Sequence, residues 1–161
     1  MRLFGLFGTL LLFLVGCKSD AERARAMLTE AQTLLRQGKL EQSEMRLNEI
    51  VAKYGHTPEA TEANRILYEF DAAKEEGRIK EKHNVETALK SFWLDTNRWP
   101  TEQEGLRVLL NGENIPNWHG PYWPPKQAEG LGGFEYHLDS NHRPEVRINR
   151  SVPAKFPAPT S

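Results

Sequence analysis

The amino-acid sequence predicts an α+β fold: an N-terminal antiparallel helical hairpin and a long helix, then a small antiparallel sheet packed on that helix. Three observations carry this. Composition shifts sharply near residue 95, with nine of the ten prolines falling from Pro100 to Pro159 and all four tryptophans from Trp93 to Trp123. Before that point apolar residues recur at helical spacing. From Phe134 onward they alternate with polar residues, as in a half-buried strand. The 161 residues suit one domain or two small ones. A chain of that size buries roughly 70 % of its unfolded surface, enough for a core.

Composition excludes several classes of function. Hydrophobic residues make up 39 % and charged residues 27 % of the chain, which fits neither a multi-span membrane protein nor a disordered one. The formal net charge of −1 argues against nucleic acid as a partner, because such proteins carry a basic excess. One cysteine excludes an intrachain disulfide framework and a cysteine-based zinc site.

The N-terminus carries one charge, Arg2, before Lys18. Leu3 to Val15 are apolar or small, a run too short for an ordinary span. It ends in Leu14-Val15-Gly16-Cys17. This resembles a bacterial lipoprotein signal peptide, covering residues 1–16. The resemblance implies that Cys17 is lipidated, with palmitate among its acyl chains, and becomes the first residue of the mature protein. Multiple acyl chains anchor far better than one. Lys18 and Ser19 follow, with no Asp beside the cysteine, which leans toward the outer membrane and a domain facing the periplasm.

The first helix is expected from about Asp20, as cap, to Gln37. Ala24, Met27, Leu28, Ala31, Leu34 and Leu35 form its apolar face, and Gly38 stops it. The second is expected over about Glu41 to Tyr54 with the stripe Met45, Leu47, Ile50, Val51 and Tyr54. A short connection makes the two antiparallel. Thr57 caps and Pro58 opens a third helix carrying Ala60, Ala63, Ile66, Leu67, Phe70 and Ala73. This helical region, residues 17–73, resembles a tetratricopeptide repeat at Ala31, Leu34, Leu35, Gly38, Leu40, Leu47, Ile50, Tyr54, Pro58, Ala60 and Ala63. An ordinary helical hairpin is the alternative. About one and a half repeats are fewer than the three such arrays need. Residues 74–84 are polar nearly all round, reading as a solvated helical bridge or a break at Gly77.

Residues 85–150 read as a second domain. Val85, Ala88, Leu89 and Phe92 restore helical spacing. Asn97 suits a helix end and Pro100 forbids continuation. Tyr136 and Leu138 alternate with Glu135 and His137, Asp139 to His142 turn, and Glu145 to Ile148 return. Four pieces in order, Ala88 to Thr101, Glu104 to Leu110, Asn117 to Tyr122 and Gly132 to Tyr136, resemble the C-terminal part of the major pseudopilin of type II secretion. The resemblance implies a helix-plus-sheet head and a non-enzymatic role among envelope or secretion-system proteins. Two departures stand out. The family's long apolar polymerising helix is replaced here by the lipoprotein-like segment and the hairpin. Its calcium loop is reduced to Asp139 and Glu145, too few for the six to eight oxygens calcium takes. No metal and no cofactor are therefore expected.

His137, Asp139 and His142 read better as a polar hairpin than as a metal site. Glu102 and Glu104 suit a helix start. No phosphate loop, nucleophile elbow or metalloprotease helix appears, so catalytic residues are expected to be none. Trp118, Tyr122 and Trp123, among Pro116, Pro121, Pro124 and Pro125, are the candidate partner-binding residues. They either stack on a sugar ring or a partner chain or fill the core. Residues 151–161 read as a flexible tail. The expected role is an envelope lipoprotein acting as an accessory or scaffold of a secretion or pilus-like system. The alternative is a peptidoglycan-binding lipoprotein using the aromatic loop.

Overall fold

The structure, a computed structural model, describes residues 19–156. The expected signal segment and Cys17 lie outside the described residues. The chain divides into two compact units, Met1–Ile66 and Leu67–Ser161.

In the first unit α1 (Asp20–Arg36) and α2 (Leu40–Tyr54) form the antiparallel hairpin, and α3 (Pro58–Thr96) begins. Ser19, not Asp20, caps α1. Its Oγ accepts from Glu22 N at 3.2 Å while Glu22 accepts from Ser19 N at 2.9 Å. The serine one residue earlier wins because a Glu three positions on completes a reciprocal pair. At the other end Gly38 takes φ +72°. Gly38 N donates to Leu35 O and Lys39 N to Leu34 O, both at 3.0 Å, closing off two helix-end carbonyls.

Small residues fill the contact between the helices. Ala24, Ala31, Ala60 and Ala63 are fully buried, together with Leu47 and Ile50. Ser43 is buried with them, and its hydroxyl donates to Ala31 O at 2.9 Å. Ser43, Leu47 and Ile50 thus define the inner face of α2 at helical spacing. Met45 falls off that face and is 71 % exposed, so it leaves the expected stripe. Thr57 Oγ1 accepts from Ala60 N at 3.3 Å, the expected cap of α3. Glu59, in the first turn, accepts from Arg25 Nε at 3.2 Å and keeps Oε2 buried. The positive end of α3 is the surrounding that tolerates that oxygen.

Gly77 does not break α3, which continues to Thr96. In the second unit α3 supplies Val85, Ala88, Leu89 and Phe92 to the core. Two 3-10 segments, Gly105–Leu109 and Pro125–Gly133, add Leu106, Val108, Leu109 and Leu131. β1 (Phe134–Leu138) and β2 (Pro144–Ile148) pair antiparallel with Tyr136 opposite Val146. Phe134 and Val146 are their inward residues, so the small sheet packs on α3 as expected. After β2 the chain runs back along α3. Arg78 donates to Val152 O at 2.5 Å, Arg150 meets Glu75 at 3.1 Å, and Phe156 sets its ring edge-on to Phe70 at 5.1 Å. The segment read as a flexible tail therefore has contacts over 151–156.

Candidate functional site

The end of α3 organises the second unit's surface. Thr96 Oγ1 donates to Phe92 O at 2.8 Å, and Asn97 reverses the chain at φ 56° with its N–H on Trp93 O at 2.8 Å. Asn tolerates that left-handed geometry better than other side chains. Pro100 then lies buried where the helix cannot go on.

Glu104 locks this turn. Its carboxylate takes both Arg98 guanidinium nitrogens, at 2.6 and 2.7 Å, and the Thr101 N–H at 2.7 Å. In return Glu104 N donates to Thr101 Oγ1 at 3.2 Å. The Arg98 guanidinium holds the Glu104 carboxyl well down, at about 2. Glu102 accepts from Leu138 N at 3.2 Å and so ties the turn to β1. Tyr136 donates to Pro100 O at 2.7 Å, and burial pushes its phenol up to about 12. Both acids of the helix-start reading thus hold backbone and side chains in place.

The aromatic loop sits against this turn. Trp118 is half-buried, its indole N–H donating to Val108 O at 3.2 Å. Its ring occupies the room left by Gly112 and Gly120: a Cβ on either would come within 2.5 Å of ring atoms. Tyr122 donates to Asp95 Oδ2 at 2.7 Å and accepts from His119 N at 2.9 Å. Its ring meets Trp118 edge-on at 5.7 Å and Phe92 at 5.9 Å. Burial raises the Tyr122 phenol. Trp123 is 5 % exposed, a core side chain, with its indole N–H on Gln127 O at 2.9 Å. Of the three candidate binding residues, Trp118 and Tyr122 retain partial exposure and Trp123 does not reach the surface.

The exposed aromatic surface lies instead on α3. Trp93 is 39 % exposed and stacks on Trp99 at 5.8 Å, and the adjacent Leu94 is 72 % exposed. The periodicity that points Phe92 and Leu89 inward also turns Leu94 outward, so this patch had a signal in the helical spacing. Sequence reasoning followed the proline-rich loop and passed over it.

In the β-turn the Asp139 carboxylate accepts from Asn141 N and Arg143 N, each at 2.8 Å. Those bonds hold its acid below the ordinary carboxylate range, that to Arg143 first. It is spent on folding the turn. Among the described residues no three His, Cys, Asp or Glu side chains converge as a metal site would require.

The comparisons with known proteins bear on this second unit. No curated protein and no solved structure matches the chain. The family described as type II secretion system (T2SS), protein G, matches residues 65–146. That range is wider at both ends than the residues carrying the resemblance in the sequence. It takes in the exit of α3, the Glu104 turn, the aromatic loop and both strands up to Val146. With just over half of its length matched, the chain belongs to the type II secretion protein G family.

Proposed function

We propose that this chain is a non-enzymatic accessory or scaffold component of type II secretion or of a related pilus-like system, anchored by lipid on Cys17 at the outer membrane and facing the periplasm. Family membership across residues 65–146 is the observation that carries the reading. The polar chemistry of the second unit is consistent with it. Glu102, Glu104, Asp95 and Asp139 each hold a neighbouring backbone or side-chain group. The hairpin, read as tetratricopeptide-like, and the pseudopilin-like head then serve as protein-binding surfaces.

The test is in-cell crosslinking and pull-down of the tagged full chain, with mass spectrometry of what it captures. Recovery of secretin, pseudopilin or platform proteins is expected. In parallel, cells fed an alkyne fatty acid should label the chain, and Cys17→Ser should remove the label and release the protein from the membrane fraction. Capture confined to unrelated envelope lipoproteins removes the secretion role.

The second reading is peptidoglycan binding. The stacked and partly exposed Trp93 favours it, because a flat indole face suits a sugar ring. Co-sedimentation with purified peptidoglycan, lost in Trp93→Ala, supports this reading. A chain that stays in the supernatant dismisses it.

A further inference from the structure

Among the described residues the two-stranded sheet leaves one edge of each strand without a strand partner. Asn149 N donates to Gly133 O at 2.8 Å and Asp139 N to Arg143 O at 2.9 Å. With the observed register, Glu135–Arg147 and His137–Glu145 are then the pairs that exchange backbone bonds. The backbone groups of Phe134, Tyr136 and Leu138, and of Pro144, Val146 and Ile148, point away from the sheet.

The two edges are treated differently. On β1, Phe134 N donates to Leu131 O and Leu138 N to Glu102. On β2, no described residue accepts from Val146 N or Ile148 N. An open groove of about 400 Å³ runs there, lined by all of β2 from Pro144 to Ile148 and by Lys82 and Glu86 of α3.

We propose that this β2 edge pairs antiparallel with β2 of a second copy of this chain, Val146 facing Val146. Charge selects both the occupant and the register. Glu145 and Arg147 flank Val146 on the solvent face, held together at 2.9 Å within one chain. A two-fold axis through Val146 sets each Glu145 opposite Arg147 of the other copy. Shifting the other strand two residues one way sets Glu145 against Glu145, and the other way sets Arg147 against Arg147. Opposite charges across a strand pair stabilise it and like charges destabilise it. In the favoured register the two Val146 residues exchange backbone bonds. Each Ile148 N–H donates to Pro144 O, and Pro144, which lacks an N–H, ends the ladder. So short an edge buries far less than the roughly 1,200 Å² of a stable interface, so the pairing depends on local concentration.

In this register Glu145 and Arg147 of the other copy form a non-hydrogen-bonded pair, with Cα atoms about 4.5 Å apart, within disulfide reach. Two differently tagged full-length chains, one Glu145→Cys and one Arg147→Cys, are co-expressed and mildly oxidised in cells. The mixed disulfide should form several-fold more than either chain crosslinked to itself, with the unsubstituted chain as background for Cys17. Formaldehyde dimers of the full chain should fall several-fold in Glu145→Arg and return in Glu145→Arg/Arg147→Glu. No disulfide dimer, equal yields for all cysteine combinations, or a charge variant that leaves the dimer unchanged overturns the proposal. Crosslinks to other proteins in place of a second copy also overturn it.

Discussion

The two units are stabilised by opposite means. The first packs helices through small side chains, Ala24, Ala31, Ala60 and Ala63, and its long-range side-chain bonds tie helix to helix, as Arg25 to Glu59, Ser43 to Ala31 and Arg46 to Glu30 do. The second packs large aromatic and aliphatic groups, Phe92, Trp123, Leu89 and Leu109, beneath loops pinned by Arg98, Glu102, Glu104, Tyr122 and Tyr136. Repetitive helices need only a periodic pattern and close approach. A unit with little regular structure beyond one helix needs specific polar ties, because its loop backbone groups lack a ladder to satisfy them.

The sharpest way to break this contrast is at the aromatic core. Trp123→Ala should cost about 3–5 kcal/mol, because the vacated volume cannot collapse fully. Urea unfolding monitored by hydrogen exchange should show the loss in residues 67–156. An equal loss throughout residues 19–66 would dissolve the distinction between the units.

Overpacking is the matching test of the first unit. Ala31 is fully buried under α2, beside the Ser43 hydroxyl that bonds its carbonyl. Ala31→Leu should destabilise by about 1–3 kcal/mol in thermal unfolding. A variant as stable as the parent would mean that the helices do not need a small residue there.

The smallest effect expected is at the Glu104 tie. The Arg98 guanidinium holds the Glu104 carboxyl at about 2 in the fold, against an ordinary 4.5. A depressed carboxyl stabilises above its unfolded pKa, and that contribution is lost as pH falls toward the folded one. Glu104→Gln should therefore cost about 1–2 kcal/mol at neutral pH, allowing for solvent screening. The difference from the parent should shrink between pH 4.5 and 2. A gap independent of pH would assign the effect to packing rather than charge.

Much of this architecture is readable from residues. The alanine and leucine spacing of α1, the Thr57-Pro58 start of α3 and the Asn97 to Pro100 exit are local signals, and each appears in the fold. Other features are not local. Met45 looks like a stripe residue until Ser43 is seen bonding Ala31 across the hairpin. Glu102 and Glu104 do stand in the turn and helix start that the sequence indicates, but nothing local says that they also meet Leu138 and Arg98. The aromatic loop shows the same limit. Burial of Trp123 and half-burial of Trp118 depend on Leu109 and Gly112 arriving from the preceding segment, with Gly120 making room inside the loop itself. Trp93, on a regular helix, was open to prediction by periodicity alone.

All four indoles, at Trp93, Trp99, Trp118 and Trp123, belong to the second unit. Intrinsic emission excited at the indole band therefore watches that unit alone, while far-ultraviolet dichroism sums α1 and α2 with the whole of α3. The protein carries its own pair of optical reporters. Whether the two signals melt together or apart measures, without any label, how far the hairpin and the head behave as one cooperative body.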